Sequence, residues 1–326
     1  MADGRVLVVG GSPPMSPGTF GGCLRNSQLF DPATNTWTAP AATAQEHCGA
    51  ALVRLDNGKA LVVGAPSPVR GYPVNAAWAE LFDPVTGTWT VTGNQPTQRE
   101  APAAAKLSDG RVLMTGGTSS ADRFAAWLYD PTSNQWSTAA PMISPERREH
   151  TMSTIANGVT IVVGGRSNAQ TASSAGRDFT DRYANGAFGD GKPLLNRRWG
   201  HAAVVMASGD VMVIGGSHNN FPVFAAEFYT LGPGWRIAPS PVLTYRSGHT
   251  ATLLADGRVL LIGGTRPNGG SQGEVELFDP ATGQWSFGPR MSYPRGSHTA
   301  TRLDDGRVLV EGGSSSATVP PEIFVP

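Results

Sequence analysis

The sequence is short of charge, of cysteine and of long apolar runs. Charged residues make up 15% of its 326 positions, with 25 basic and 25 acidic side chains and a formal net charge of zero. So balanced a chain lacks the broad positive field with which proteins hold nucleic acid or an anionic membrane surface. No stretch approaches the roughly 20 apolar residues that a membrane-spanning helix needs. No charged n-region leads into an apolar h-region, so no signal peptide is visible. Met1-Ala2 runs straight into the middle of a repeat. That is compatible with a removed leader and leaves the compartment open: secreted or periplasmic with one, cytoplasmic without. Cys23 and Cys48 are the only cysteines, and two do not fix a redox compartment. A disulfide, a reactive thiol or metal ligand, and a pair of small buried apolar groups all stay open for them. Phosphate-loop, dinucleotide, zinc-finger and nucleophile-elbow patterns are missing.

Turn-forming residues are plentiful instead. With 41 Gly and 26 Pro, about a fifth of the chain punctuates rather than propagates structure. Apolar residues still reach 40% and recur in short regular runs, which excludes a disordered chain.

Those runs form a repeat. The phrase Asp3-Gly4-Arg5-Val6-Leu7-Val8-Val9-Gly10-Gly11 returns at Asn57 to Ala65, Asp109 to Gly117, Asn157 to Gly165, Ser208 to Gly216, Asp256 to Gly264 and Asp305 to Gly313, at intervals of 48 to 54 residues. A second phrase, Gln28-Leu29-Phe30-Asp31-Pro32-Ala33-Thr34-Asn35-Thr36-Trp37, returns at Glu80 to Trp89, Trp127 to Trp136 and Glu276 to Trp285, with weaker copies at Thr180 to Phe188 and Glu227 to Trp235. Each unit therefore predicts four short strands, a to d. Asp-Gly makes the a–b hairpin. Asp-Pro-x-Thr-Gly makes the c–d turn. Paired glycines let the end of b approach neighbouring backbone. The Trp after the turn is a large apolar wedge between units.

Period and residues resemble the kelch repeat, over essentially the whole chain. The resemblance implies an all-β fold: a seven-bladed kelch-type β-propeller of four-stranded antiparallel blades, with six blades as the second choice. A single domain over 1–326 is expected, with blades at about 1–40, 41–92, 93–140, 141–192, 193–240, 241–290 and 291–326. The first blade lacks an a strand and the last a clear d strand, so 26 of 28 strands are visible. Self-association through these incomplete blades is one candidate partner.

In this architecture the long, variable b–c and d–a connections share one face, the expected binding face. Aligning the a strands from the turn Gly puts His47, Arg99, Arg147, Arg198, Arg246 and Arg295 at equivalent positions on that face. Arg25, Arg70, Arg123, Arg166, Arg177 and Arg266 sit in the loops. Guanidiniums gathered there would favour a polar or anionic small molecule or a glycan. Equally, the ring arginines can pair with nearby carboxylates or carbonyls and serve only the fold. His150, His201, His249 and His298 repeat three positions further on. They read as packing residues, since ligands one blade apart cannot all reach one ion at about 2.1 Å; no metal and no cofactor are expected. Departures from the repeat supply the other candidates. Glu149, Glu100, Tyr245 and His218 are the candidate acid–base groups, and Trp199 and Tyr293 join the six ring residues as candidate ligand contacts.

Three known activities of kelch propellers bear on this chain. The last blade, with His298-Thr299-Ala300-Thr301 and Glu322-Ile323-Phe324, resembles copper radical oxidases of the galactose oxidase type. Their site needs a Tyr before that His, a second Tyr on an earlier a strand linked to a Cys, and a His from an added domain. Here Ser297 and Gly49 stand at the two Tyr positions and the sequence stops at Pro326, so that chemistry is not expected. Sialic acid mutarotation by bacterial kelch proteins is compatible with the arginines, and the Asp-Gly-Arg-Val-Leu style looks bacterial. Kelch modules of ubiquitin-ligase adaptors bind peptides on an arginine-lined face. The reading is a ligand-binding propeller. A cofactor-independent isomerase, lyase or cyclase at the same mouth is the alternative, and a protein-interaction module the third. Neither nucleic acid nor membrane is expected as a partner.

Overall fold

The structure is a computed structural model that describes residues 1–12, 22–64, 78–93, 99, 101–117, 124–145, 147–167, 175–238, 245–266, 269–313 and 319–326. Glu100, Arg70 and Arg123 lie outside the described residues.

The b strands are the most apolar runs, and they sit deepest. They are Val6–Val9, Ala60–Val63, Val112–Thr115, Thr160–Val163, Val211–Ile214, Val259–Ile262 and Val308–Glu311. Five of the seven are buried at all four positions, as near-continuous apolar strands covered on both faces must be. In all but the first sheet the b strand lies between an a strand rich in Ala and Thr and a c strand. The a strands are Ala51–Arg54, Ala103–Lys106, Thr151–Thr154, Ala202–Val205, Thr250–Leu253 and Thr299–Arg302. The c strands are Ser27–Asp31, Ala79–Asp83, Ala126–Asp130, Thr180–Ala184, Glu227–Thr230, Val275–Asp279 and Glu322–Phe324. The d strands are Thr36–Thr38, Thr88–Val91, Gln135–Thr138, Ala187–Asp190, Gly234–Ile237 and Gln284–Phe287. The described residues thus give seven sheets in a-b-c-d order, the first without a and the last without d. The fold is the seven-bladed, all-β propeller that the repeat predicts.

Register follows from the turns. In the sixth sheet Thr250 pairs with Ile262, Val259 with Phe278 and Phe278 with Trp285. At the a–b turn the Arg258 N–H donates to Asp256 Oδ1 at 3.0 Å, and Gly257 takes a φ of 88°. At the c–d turn Ala281 N–H donates to Asp279 Oδ1 at 2.9 Å. Both are carboxylate-anchored turns of the kind Asp favours. The d-strand Trp residues are the expected wedges. Trp136 packs 5.3 Å from Tyr129 of its own sheet, and its indole N–H donates to Thr92 Oγ1 of the sheet before at 2.9 Å. Trp235 reaches back to Thr180 Oγ1 in the same way at 3.0 Å.

The paired glycines are required by both conformation and space. Gly215 has a φ of 62°, and a Cβ on it would lie 2.8 Å from the Arg246 carbonyl oxygen of the next a strand. Gly216 N–H donates to that same carbonyl at 3.0 Å.

Contacts divide the chain into two compact units. The first comprises Met1–Arg148, Gly158–Thr160 and Tyr183–Gly189; the second comprises Glu149–Asn157, Ile161–Arg182 and Asp190–Pro326. The core of the first runs through Leu61, Val63, Trp78, Met114, Tyr129 and Trp136. That of the second runs through Met212, Ile214, Phe228, Leu261 and Phe278, continuing into Leu260, Val308 and Val310. In the first unit Cys23 and Cys48 form a disulfide, Cα–Cα 5.4 Å, tying the first b–c connection to the start of the next a strand. Sequence alone left that pairing open.

Candidate functional site

The ring positions are interior. In the second unit Arg198, Arg246 and Arg295 are fully buried, and each sets its guanidinium against the carbonyls just past its own b strand and just before its c strand. Arg198 Nη1 donates to the carbonyls of Gly215 at 2.9 Å and Ala225 at 2.8 Å, and Nη2 meets the Glu227 carboxylate. Arg246 repeats this with Gly263 at 3.0 Å, the Glu274 carbonyl at 2.9 Å and the Glu276 carboxylate. Arg295 uses Gly312 at 3.1 Å, Pro320 at 2.8 Å and Glu322 Oε1 at 2.8 Å. The carboxylate then accepts two backbone N–H groups of the d–a connection: Leu195 and Asn196 on Glu227, and Ser292 and Tyr293 on Glu322. Burial draws the Arg198 and Arg246 guanidiniums below their usual range, and the carboxylates beside them oppose it.

The first unit varies the theme. His47 Nδ1 faces the Gly64 carbonyl at 2.6 Å and Nε2 faces Glu80 at 3.1 Å, while Glu80 accepts from Ala44 and Gln45. Arg99 donates to the Gly116 carbonyl at 3.0 Å and stacks 4.3 Å above Trp127, which stands where other sheets carry Glu. Arg147 is fully buried, and its carbonyl accepts from Gly117 at 3.1 Å. Of the two readings open to these six residues, the structural one has direct partners at five: the side chains of His47, Arg99, Arg198, Arg246 and Arg295 face carbonyls, carboxylates and an indole of the protein. The partner Glu sits three residues before the turn Asp at Glu80 and Glu276. The repeated phrase began at those residues, but nothing in sequence showed which way they faced.

The four repeated histidines are buried as well. His249 Nε2 meets the Ile214 carbonyl at 3.1 Å, and His201 and His298 Nε2 meet Thr151 and Thr250 Oγ1, each at 2.9 Å. The Nδ1 atoms of His201, His249 and His298 are buried without a hydrogen-bond partner. Burial, reinforced by the arginines, holds His201 and His249 well below the usual imidazole range and His298 at about 4. Among the described residues no three His, Cys, Asp or Glu side chains gather as metal ligands.

The residues that depart from the repeat are the ones that reach the surface together. In the second unit Glu149 takes a φ of 56°. Its carboxylate accepts from Arg166 Nη2 at 2.5 Å. The Arg166 guanidinium lies 4.3 Å over the half-buried Trp199 ring. Trp199 and Ser217 exchange backbone hydrogen bonds of 3.0 and 2.9 Å. The Ser217 and Tyr245 hydroxyls are hydrogen-bonded at 2.8 Å, and the Tyr245 ring packs 6.0 Å from exposed Phe224. The Gln272 amide donates to the Tyr245 carbonyl. Three sequence candidates, Glu149, Trp199 and Tyr245, thus join one connected surface.

His218 is on the same connection, in a small hairpin of Ser217–His218 and Phe221–Pro222. It bonds only its neighbour Asn219, with Nδ1 buried and unpartnered. The hairpin interrupts a b–c connection for which the repeat predicts no strand; its Asn219-Asn220 turn, both residues at positive φ, is the sequence signal for it. It lifts Phe221 to 73% exposure. Tyr293 is exposed at the next d–a connection, where its carbonyl accepts from Arg295 Nε at 3.4 Å.

Repeated antiparallel sheets, with buried ion pairs inside and variable connections between them, define a β-propeller. Comparison with known proteins gives the kind of propeller. The Kelch motif matches residues 246–292. The chain is 30% identical over 143 residues to Kelch-like protein 35 of Mus musculus, covering 44% of this chain and 23% of that one. It is 27% identical over 198 residues to Kelch-like protein terF of Aspergillus terreus, covering 56% of this chain and 41% of that one. The chain therefore spans less than half the length of these curated relatives. Among solved structures it is similar to a fungal alcohol oxidase in complex with copper, with a TM-score of 0.73 and 19% identity over 95% of this chain and 68% of that one. At that identity the likeness shows the fold alone. Repeat, sheets and relatives together make this chain a kelch-type β-propeller, a scaffold that supports a binding or protein-interaction role.

Proposed function

We propose that the second unit binds a polar small molecule or a glycan on the surface formed by Glu149, Arg166, Trp199, Ser217, Tyr245 and Phe224. The supporting observation is the Glu149–Arg166–Trp199 stack. A carboxylate holds a guanidinium over one face of an indole, which fixes an aromatic group bordered by hydrogen-bonding groups. Aromatic faces take the apolar faces of sugar rings, and the polar border takes hydroxyls. In this reading the buried arginines serve the site indirectly, by pinning the d–a connections from which the surface is built.

The acid–base alternative requires a carboxylate and a Tyr hydroxyl at about 3.2 Å or less. Glu149 is engaged by Arg166 and Tyr245 by Ser217, which favours binding over catalysis. A protein partner has its own support in Phe221 and Phe224, two exposed aromatics on one connection.

Calorimetric titration with a panel of neutral and acidic oligosaccharides tests the proposal. Trp199→Ala is expected to weaken the best binder about tenfold or more, the cost of losing an aromatic platform. Unchanged affinity in that variant, or a panel with no binder, rejects the proposal and leaves the protein-partner reading.

A further inference from the structure

Hydroxyls gather beside Trp199 at positions that the repeat makes equivalent. Ser217 and Thr265 each follow the paired glycines of their sheet, and Trp199 and Ser247 each follow a ring arginine. Trp199 faces Ser217 across one antiparallel bridge, and Ser247 faces Thr265 across the same bridge one sheet later. Residues directly opposite in such a bridge point their side chains the same way. Equivalent positions in successive sheets therefore turn Ser247 and Thr265 to the face that carries Trp199.

Side-chain bulk falls away along this series. Arg166 holds the Ser217 position one sheet earlier and lies 4.3 Å over the Trp199 ring. In the next two sheets the Trp199 position is taken by Ser247 and Gly296. A Cβ on Gly296 would come 2.6 Å from Thr265 Cγ2, so Thr265 occupies that space instead. The ground beyond the indole is thus low, and half-buried Tyr245, Ser247 and Thr265 bring hydroxyls to it.

These hydroxyls are placed and still have capacity. Tyr245 is held at three points: Gln272 donates to its carbonyl, Phe224 packs 6.0 Å from its ring, and its hydroxyl is bonded to Ser217 at 2.8 Å. One hydroxyl bond between two hydroxyls leaves the pair a donor and spare lone pairs. Ser247 Oγ and Thr265 Oγ1 stand 3.3 Å apart, beyond the ordinary O–H···O range, and Thr265 Oγ1 reaches the Ser247 carbonyl only at 3.2 Å. Both oxygens can take a closer partner. The cations nearby are already answered, Arg166 by Glu149 at 2.5 Å and Arg266 by Glu274 at 3.0 Å. Groups that both donate and accept match sugar hydroxyls, which do the same, and offer a carboxylate or sulfate no charge.

We propose that Tyr245, Ser247 and Thr265 are the specificity-determining residues of the Trp199 surface, so that its ligand is a neutral glycan rather than an acidic one. Ser217 is a positioning residue that acts through the Tyr245 hydroxyl. This rests on the ligand-binding reading above and narrows it to a charge class.

The test uses the full chain and two matched pairs of trisaccharides: galactotriose with trigalacturonate, and cellotriose with its C6-oxidised uronate. The parent is expected to bind a neutral member about tenfold or more tighter than its uronate, the cost of setting an unanswered carboxylate among neutral groups. Tyr245→Phe, Ser247→Ala and Thr265→Val are each expected to weaken the neutral sugar about three- to tenfold, the worth of one hydrogen bond. Ser247→Ala breaks only a long contact and is expected to melt with the parent, so its loss of affinity is not a folding defect. Ser217→Ala is expected to weaken binding alone but to add nothing to Tyr245→Phe, as residues acting through one another do. A uronate that binds as tightly as its neutral partner overturns the inference, and so does unchanged affinity in Tyr245→Phe or Ser247→Ala. A double variant weaker than Tyr245→Phe overturns the positioning role of Ser217. If Trp199→Ala weakens binding while the hydroxyl variants do not, the ligand-binding reading stands without this inference. If no trisaccharide binds the parent, both fall.

Discussion

Acidification between pH 6.5 and 5 is the sharpest test of the buried histidine stack. His298 ionises near 6.5 in an unfolded chain and at about 4 in the folded protein, through burial and then the fields of Arg295 and Arg246. Its imidazole is neutral in both states above pH 6.5, so nothing is lost there. Below that, the unfolded chain takes up the proton first and folding stability falls until the folded pKa is passed. At pH 5 the unfolded imidazole favours its protonated form about thirtyfold, which amounts to ~2 kcal/mol from this one residue, rising to about 3 kcal/mol below pH 4. His201 and His249 are held lower still and add to the loss in the same window. The turn carboxylates Asp109, Asp256 and Asp305 lie below their usual range, so they respond only at more acidic pH and do not mask it. Urea unfolding followed by tryptophan fluorescence at half-unit steps from pH 7.5 to 4.5 measures the slope. His298→Gln, which cannot titrate, should be less stable at pH 7 but lose ~2 kcal/mol less than the parent between pH 7 and 5. A flat profile over that range, or a parent and variant with equal slopes, would refute the account of these histidines as buried and neutral.

Three further outcomes follow from the same packing. Glu276→Gln leaves the Arg246 guanidinium buried without its counter-charge and should cost about 3–5 kcal/mol in thermal unfolding; the exposed Asp256→Asn should cost far less. Glu149→Gly should raise stability by about 1 kcal/mol by relieving a left-handed non-glycine residue, yet weaken ligand binding by freeing Arg166. Reducing the Cys23–Cys48 bridge, whose sequence separation is 25, should cost about 3 kcal/mol, read as a lower urea midpoint in dithiothreitol than without it.

The repeat made the strands legible because each unit states the same local chemistry: Asp-Gly closes a–b, Asp-Pro-x-Thr-Gly closes c–d, and apolar b runs need cover on both sides. The location of the ring arginines was legible too, at the starts of the a strands. Their orientation was not. Whether Arg246 turns outward to a ligand or inward to Glu276 depends on a c-strand residue 30 positions away, and no local pattern encodes that register. The disulfide was illegible for the same reason: its partners meet only because the first b–c connection crosses to the next a strand. The hairpin at Ser217–Pro222 was legible in principle, since Asn-Asn is the turn chemistry it uses, but a two-residue strand gives almost no periodicity to read.

Repetition itself separates scaffold from site in this chain. Two residues beyond each ring position the backbone is left-handed: Gly49, Ala101, Glu149, Gly200, Gly248 and Ser297 all have φ between 52° and 61°. In the second unit these residues are stitched in series, Gly200 N–H to Glu149 O, Gly248 N–H to Gly200 O and Ser297 N–H to Gly248 O, at 3.3, 3.0 and 2.6 Å. Glycine fits such a position without strain. Alanine and serine there cost little more than their own strain and make few demands on their surroundings. A glutamate brings the same strain together with a charge that must be answered, and the answer is Arg166 on Trp199. Strain joined to a charge at one copy of a repeat, where three other copies show glycine to be sufficient, marks a position held for something other than folding. Four of the five arginines that recur at the a-strand entrances, Arg99, Arg198, Arg246 and Arg295, spend their donors on backbone carbonyls of the fold. The residues that do not recur, Glu149, Arg166, Trp199 and Tyr245, are the ones whose cost the fold does not explain, and they lie together on one surface.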